Sequence, residues 1–135
     1  MLCRPRQNIL VKVLNEFGDA FNRHDSEALV SMMSNDCEFR TSAGGHQFGT
    51  SIRGKDAVKL AFDQTFSSFP DSKWVPRACN HVVGNRGFSE WTFVATRASD
   101  NLHFEVDGVD LFTFDIDGRI SLKDAYRKDR PPFEL

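Results

Sequence analysis

The chain has 135 residues, of which 40% are hydrophobic and 27% are charged. This balance is ordinary for a soluble globular protein with one core, and it excludes a disordered or fibrous chain. The formal net charge of −2 provides no positive field that would attract phosphate backbones or anionic membranes. We therefore expect a single domain spanning residues 1–135, with no nucleic acid and no membrane among its partners.

The cysteines and the first residues of the chain are the features that indicate a cellular compartment. Cys3, Cys37 and Cys79 are an odd number at wide spacing, and no pair forms the C-x-x-C unit of zinc or redox sites. We interpret them as reduced thiols of a cytoplasmic protein. The basic and apolar start faintly resembles a signal peptide, but Lys12 and Asn15 interrupt its apolar run. We expect a soluble protein that is not exported.

Three segments have the spacing of amphipathic helices. Residues 9–23 place apolar side chains three and four positions apart and predict the first helix. Asp25 is positioned to accept a hydrogen bond from the free amides of a second helix, which runs through Met32 and Met33. Residues 57–69 regain the helical spacing, and a proline directly afterwards ends this third helix.

Strand patterns account for the remaining chain. Residues 37–41 favour a short strand between the second and third helices, and four longer strands follow at residues 74–83, 88–97, 102–115 and 119–127. The order ααβαββββ predicts one α+β domain in which a strongly curved, mostly antiparallel sheet wraps over three helices.

Asp110 lies on the apolar face of the strand at residues 102–115. Strict alternation puts its side chain on the same face as Phe112 and Phe114. An ionised carboxylate on such a face is costly unless the face is wet, a partner binds it, or the carboxyl is neutral. The pattern therefore predicts a pocket that contains Asp110. The alternative is a register break at Gly108 that turns Asp110 to solvent.

The order of three segments resembles a known family. These segments are FGDAFNRHDSEALVSMMSNDCEF at residues 17–39, IRGKDAVKLAFDQTFSSFPD at residues 52–71 and VDGVDLFTFDIDGRISLKDAYRKDRP at residues 106–131. They resemble the SnoaL-like branch of the nuclear transport factor 2-like superfamily, which includes ketosteroid isomerase, limonene epoxide hydrolase, scytalone dehydratase and aklanonic-ester cyclases. The resemblance implies a cone-shaped α+β barrel, an open apolar cavity and commonly a homodimer joined through sheet faces.

The resemblance to ketosteroid isomerase assigns a role to Asp110, but two other catalytic groups of that enzyme have no counterpart in this chain. That enzyme combines a carboxylate base with an oxyanion hole made of a tyrosine and a neutral aspartic acid, and Asp110 matches the aspartic acid. The tyrosine position falls on Phe17, which has no hydroxyl, and the base position falls on Thr41, which cannot take a proton near neutral pH. Limonene epoxide hydrolase has an aspartate on its last strand, where the gapless match is Ala125 rather than Asp124. Neither mechanism transfers to this chain.

Histidines are candidates for the missing base because imidazole titrates near neutrality. His46 lies in a glycine-rich loop after the base position and either reaches over the cavity mouth or is an exposed loop residue. His81 lies in the strand at residues 74–83, where a proline blurs the register, and it faces either the cavity or solvent. His24 and His103 are interpreted as surface residues. No histidine belongs to a convincing three-ligand metal set.

A further set of residues is placed to line the cavity or bind a ligand. By the family's geometry the last strand turns Lys123 and Arg127 inward, where either cation neutralises Asp110 or binds an anionic substrate group, unless both belong to a solvated basic tail. Arg53 precedes the third helix and is either a ligand-binding or a surface residue. The other candidates for the cavity wall, whose aromatic members are core residues first and ligand wall second, are Phe17, Phe21, Thr41, Trp74, Trp91, Phe93 and Phe112.

Two functions remain open. The first is a cofactor-independent isomerase, cyclase, lyase or hydrolase acting on a small apolar or aromatic substrate, with Asp110 as acid or orienting carboxyl and His46 or His81 as base. The second is a non-catalytic ligand-binding or dimerisation module of the same fold, which the residues found at Phe17 and Thr41 favour. The apolar outer positions that support a homodimer are Val109, Leu111, Ile120 and Leu122.

Overall fold

The computed structural model describes residues 8–135, which form three helices and seven strands. In chain order these are α1 (Asn8–Asn22), α2 (Ser26–Ser31), β1 (Met33–Arg40), β2 (Ser51–Arg53), α3 (Lys55–Ser68), β3 (Lys73–Pro76), β4 (His81–Val83), β5 (Arg86–Thr96), β6 (His103–Phe114) and β7 (Ile120–Arg127). The sheet has the order β2-β1-β7-β6-β5-β3, and β4 also pairs with β5. Among the strands of residues 8–135 only β1 and β7 pair in parallel, so the mixed α+β class and the mostly antiparallel sheet are confirmed.

The sheet contains two strands more than the sequence pattern predicts. The short β2 pairs with β1 across a loop, with Phe39 opposite Ile52. The segment at residues 74–83 forms β3 and β4 instead of one strand, and both pair with the long β5. Pro76 is the last residue of β3, which lies at the edge of the sheet, where a residue without an amide hydrogen is tolerated.

The second helix is shorter than predicted. Asp25 caps it as expected and accepts a hydrogen bond from a first-turn amide at 3.1 Å. The helix nevertheless ends at Ser31, because the carbonyl of Met32 accepts a hydrogen bond of 2.9 Å from the amide of Ile120. Met33, the first residue of β1, then pairs with Ile120 as well. Pairing with β7 overrides the helical spacing of the two methionines.

The core lies between the helices and the inner face of the sheet. The ring of Phe17 on α1 meets the rings of Phe112 on β6 and Phe62 on α3 edge-on, with centroids 5.6 and 6.5 Å apart. Full burial of a side chain of this size stabilises the fold by about 1.5–3 kcal/mol. A second cluster extends the core along β5 and β6 and consists of Trp91, Phe93, Ala95, Phe104 and Val106.

Strand β6 alternates as the sequence predicts. The buried side chains of its inner face are Phe104, Val106, Asp110, Phe112 and Phe114. Its pairing with β5 runs without interruption through Gly108, which excludes the register break considered there. An irregularity lies instead between Thr113 and Phe114, on the β7 side. Ile120 is fully buried beside it, so the outer position predicted for Ile120 is wrong.

Two further sequence expectations can be compared with the described part of the chain. Within residues 8–135, no helix combines the length and the apolar character needed to cross a membrane. Cys37 is fully buried in β1, and burial raises the pKa of its thiol. Cys3 lies outside the described residues.

Candidate ligand-binding site

Asp110 lies at the centre of the inner sheet face, between two donors on the flanking strands. It pairs with Ser89 on β5 and with Ala125 on β7, so Trp91 and Lys123, each two residues further along, project from the same face. The indole Nε1 of Trp91 donates to Oδ2 of Asp110 at 3.0 Å, and Nζ of Lys123 donates to Oδ1 at 3.1 Å. Each carboxylate oxygen therefore has its own donor.

The ion pair between Asp110 and Lys123 is buried. Their exposed fractions are 7% and 5%, and charges so removed from water are stable only when they are paired and hydrogen-bonded. The ammonium of Lys123 also lies 4.6 Å from the ring centroid of Phe39 and 5.1 Å from that of Phe21. Cation–π attraction to these rings holds the ammonium at the inner face.

Two cavities flank this ion pair. The α1 cavity, of about 450 Å³, lies between α1, the β3–β4 connection and β5, and Phe17, Gly18, Asp110 and Phe112 line it. The α3 cavity, of about 370 Å³, lies between α3, the end of β1 and β7. Four side chains line both cavities, namely Phe21, Trp74, Trp91 and Lys123. Cavities of this size are typical of small-molecule sites.

Polar side chains of α1 line the α1 cavity, and the sequence reasoning did not single them out. Asn15, Asp19 and Asn22 follow one another at intervals of four and three residues and so lie on one side of the helix. Asn22 also fixes the aromatic wall, because its side-chain amide accepts a hydrogen bond from the amide of Trp74 at 2.9 Å and donates one to the carbonyl of Trp74 at 3.1 Å. The helical spacing of these three residues is a signal that could have identified them.

The α3 cavity has an aromatic interior and a polar rim. Phe93 lines its wall, and Thr41 lies at the end of β1 on its border. The guanidinium of Arg127 lies over the ring of Phe93, with its central carbon 5.5 Å from the ring centroid. Nε of Arg127 donates to Asp129 at 2.6 Å. Arg127 therefore stands at the rim with one of its donors already bound.

Most of the predicted site residues meet around these two cavities. The residues that line at least one of them are Asp110, Phe17, Phe21, Thr41, Trp74, Trp91, Phe93, Phe112, Lys123 and Arg127. The inward orientation of the last strand brings Lys123 to Asp110 and leaves Arg127 further along the same face. The sequence reasoning missed the hydrogen bond between Trp91 and Asp110, which depends on the register between β5 and β6.

Three predicted site residues lie elsewhere. His81 is exposed on β4, where it pairs with Phe88 and stacks on its ring at a centroid distance of 5.3 Å; alternation turns Val82 inward instead. His46 is exposed in its loop and stacks on Phe48 at 5.2 Å. Arg53 is exposed at the end of β2. Among the residues that line the α1 and α3 cavities in the described chain there is no histidine.

The sequence places this arrangement in a family. Residues 14–122 match the SnoaL-like domain. Because this match covers most of the chain, the protein belongs to the SnoaL-like family. No match was found among curated proteins.

Solved structures share the fold at low sequence identity. An NTF2-like protein of unknown function from Mesorhizobium loti has a TM-score of 0.75 and 22% identity, over 95% of this chain and 98% of that one. A putative SnoaL-like polyketide cyclase from Shewanella denitrificans has a TM-score of 0.75 and 13% identity, over 93% and 92%. TerC, crystallised with polyporic acid, has a TM-score of 0.71 and 18% identity, over 86% and 88%. These likenesses establish the fold.

Proposed function

We propose that this protein binds a small apolar or aromatic molecule in the cavities beside the ion pair of Asp110 and Lys123. The observation that carries the proposal is that both members of a buried ion pair line the α1 cavity, and that Lys123 also lines the α3 cavity, with the aromatic rings of Phe21, Trp74 and Trp91 in the walls of both. Binding pockets combine such apolar walls with a few fixed polar groups that orient the ligand. The Trp91 hydrogen bond fixes the carboxylate, so the polar anchor is organised before a ligand arrives.

The relatives support a ligand of this class. A structural neighbour, TerC, was crystallised with polyporic acid, and another is a putative polyketide cyclase. A flat aromatic molecule also suits the rings of Phe21, Trp74 and Trp91, because stacked and edge-to-face ring pairs are favourable at 4.5–7 Å.

Acid–base catalysis without a cofactor is the second candidate function. It is supported by the distance of 3.1 Å between a proton donor, Lys123, and a proton acceptor, Asp110, at the cavity wall. The reaction would be an isomerisation, cyclisation, elimination or hydrolysis in which these two groups move the proton. The positions of His46 and His81, outside both cavities, favour ligand binding as the first candidate.

A thermal-shift panel tests ligand binding. It contains steroid enones, polyketide-like phenols, terpene epoxides and small acids, applied to the native protein, to Asp110→Asn and to Asp117→Asn, an exposed turn control. A ligand at 100 times its dissociation constant adds about 2.7 kcal/mol of stability, which raises the midpoint by several degrees. We expect a shift for at least one class that Asp110→Asn reduces and Asp117→Asn preserves. No shift with any class contradicts the proposal, and turnover of a bound class decides for catalysis.

A homodimer and a cytoplasmic location are part of this proposal. On the outer sheet face Leu111 pairs with Phe88, and Val109 pairs with Tyr126. Phe88 and Tyr126 are exposed, so this face offers apolar surface to a second copy. Gel filtration with light scattering tests the dimer, and a monomer at micromolar concentration contradicts it. Imaging of a tagged full chain tests the location.

A further inference from the structure

The two cavities differ in the charges that line them. Asp19, Glu90 and Asp110 line the α1 cavity together with one cation, Lys123. No Asp or Glu is among the described residues that line the α3 cavity, where Lys123 and Arg127 are both present. Asp110, the counter-ion of Lys123, lines only the α1 cavity of the two. A ligand in the α3 cavity therefore meets both cations directly, whereas their carboxylate partners, Asp110 and Asp129, are not among the described residues that line this cavity.

The two cations lie along one strand with a flat floor between them. Lys123, Ala125 and Arg127 project from the same face of β7 and all line the α3 cavity. At the strand rise of about 3.3 Å per residue, Lys123 and Arg127 are about 13 Å apart along β7. Because Ala125 has a small side chain, it leaves space above the strand between the two cations.

The rim of the α3 cavity can bind an oxygen anion. Ser42, Gln64 and Ser68 place hydroxyl and amide groups at its border. Arg127 uses Nε for Asp129, and within residues 8–135 its other N–H groups have no protein partner. A guanidinium binds a carboxylate through two parallel hydrogen bonds, which is stronger and more selective than a contact with a neutral group.

We infer that the α3 cavity selects aromatic carboxylates, with the carboxylate at Arg127 and the ring body over Ala125 toward Lys123. This inference rests on the proposed ligand-binding function and names the chemical class of its ligand. The aromatic rings of Phe62, Phe69 and Phe93 supply the walls for such a body. The ammonium of Lys123, which is paired with Asp110, bounds this space at its inner end.

The test compares 2-naphthoate with its neutral isostere 2-naphthamide by isothermal titration calorimetry. We expect the native protein to bind the carboxylate at least tenfold more tightly than the amide. Arg127→Gln should remove most of this preference, and Arg127→Lys should retain part of it. Arg119→Gln, which removes an exposed arginine outside the cavity, should leave the preference unchanged. High salt should weaken the binding of 2-naphthoate and leave the binding of 2-naphthamide unchanged.

One filling variant and a matched control assign the cavity. Ala125→Leu should abolish binding of 2-naphthoate, because the larger side chain occupies the space between the cations. Ala57→Leu makes the same change at an exposed position of α3 that lines neither cavity, and it should leave the affinity unchanged. Circular dichroism and the thermal midpoint establish that each variant is folded.

The outcomes separate this inference from the proposed function. Equal affinity for 2-naphthoate and 2-naphthamide overturns the inference and leaves ligand binding intact. An unchanged preference in Arg127→Gln, or unchanged binding of 2-naphthoate by Ala125→Leu, overturns the assigned site. Absence of binding by either probe overturns the inference, while the wider ligand panel on the native protein decides the proposed function independently.

Discussion

The indole ring of Trp91 covers the backbone of Gly108, its partner across β5 and β6. A Cβ atom added at Gly108 would overlap ring carbons of Trp91, and it would also lie 2.6 Å from the carbonyl oxygen of Tyr126. The absence of a side chain at Gly108 thus lets the indole lie flat enough for Nε1 to reach Asp110 at 3.0 Å. Gly108 is therefore needed in β6 because the ring of Trp91, which positions the carboxylate of Asp110, packs closely against its backbone.

Gly108→Ala should therefore destabilise the protein and disturb the site. Overpacking of this kind typically costs about 1–3 kcal/mol, and here the added methyl displaces Trp91 from Asp110. Urea unfolding measures the loss, and near-ultraviolet circular dichroism reports the changed surroundings of the indole. The control is Gly45→Ala in an exposed loop, where an added Cβ meets no atom of the described residues within 4 Å. Equal stability of Gly108→Ala and the native protein would contradict the packing argument.

Gly18→Ala should have the opposite effect. Gly18 lies inside α1, has no positive φ, and has open space of the α1 cavity where a Cβ would be. Glycine in a helix costs about 0.8–1 kcal/mol relative to alanine, and no clash opposes the gain. Urea unfolding should show a stabilisation approaching about 1 kcal/mol. A destabilised Gly18→Ala would mean that α1 needs its glycine for packing.

Lys123→Met should be among the most damaging single changes at the site. It leaves the carboxylate of Asp110 buried without its cation, and breaking a buried pair in this way typically costs about 3–5 kcal/mol. The double variant Asp110→Asn with Lys123→Met should recover part of the loss, because no uncompensated charge remains. A double-mutant cycle from urea unfolding gives the coupling energy. Additive losses would show that the two side chains do not act as a pair.

Much of the fold could be predicted from local signals. The apolar spacing of α1 and the capping position of Asp25 each depend on a few neighbouring residues, and the alternation along β6 places Asp110 inward. Met33 and Ile120 could not be placed from such signals, because the pairing of β1 with β7 joins residues far apart in the chain. Local spacing alone cannot tell that Met33 leaves its helix.

For the site, the sequence could predict only the direction in which some of its strand side chains point. Alternation places Asp110 on the apolar face of its strand, the family resemblance turns Lys123 inward, and the structure brings the two side chains together. The donor role of Trp91 requires the exact register of β5 against β6, which no sequence pattern supplies. The direction of His81 depends on where β3 ends and β4 begins, and Pro76 leaves both choices open in the sequence.

The polar cluster on the outer face of β1 gives a pH dependence of stability. Burial alone would raise the pKa of Glu38, but hydrogen bonds from Arg40 at 2.9 Å and Ser51 at 2.7 Å, with the nearby charge of Arg53, outweigh it and hold the pKa below its ordinary value. Because the folded-state pKa is the lower one, Glu38 contributes stability above the unfolded-state pKa of about 4.3. That contribution is lost as the pH falls through the folded-state pKa.

Glu38→Gln tests this dependence. Its free energy of unfolding should fall furthest below that of the native protein near neutral pH, and the two should converge as the pH is lowered below about 4. Glu105→Gln, at an exposed position of β6, controls for the loss of a negative charge. Urea unfolding between pH 3 and pH 7 measures the three profiles. A difference between Glu38→Gln and the native protein that stays constant across this range would show that hydrogen bonds to the ionised carboxylate do not contribute to stability.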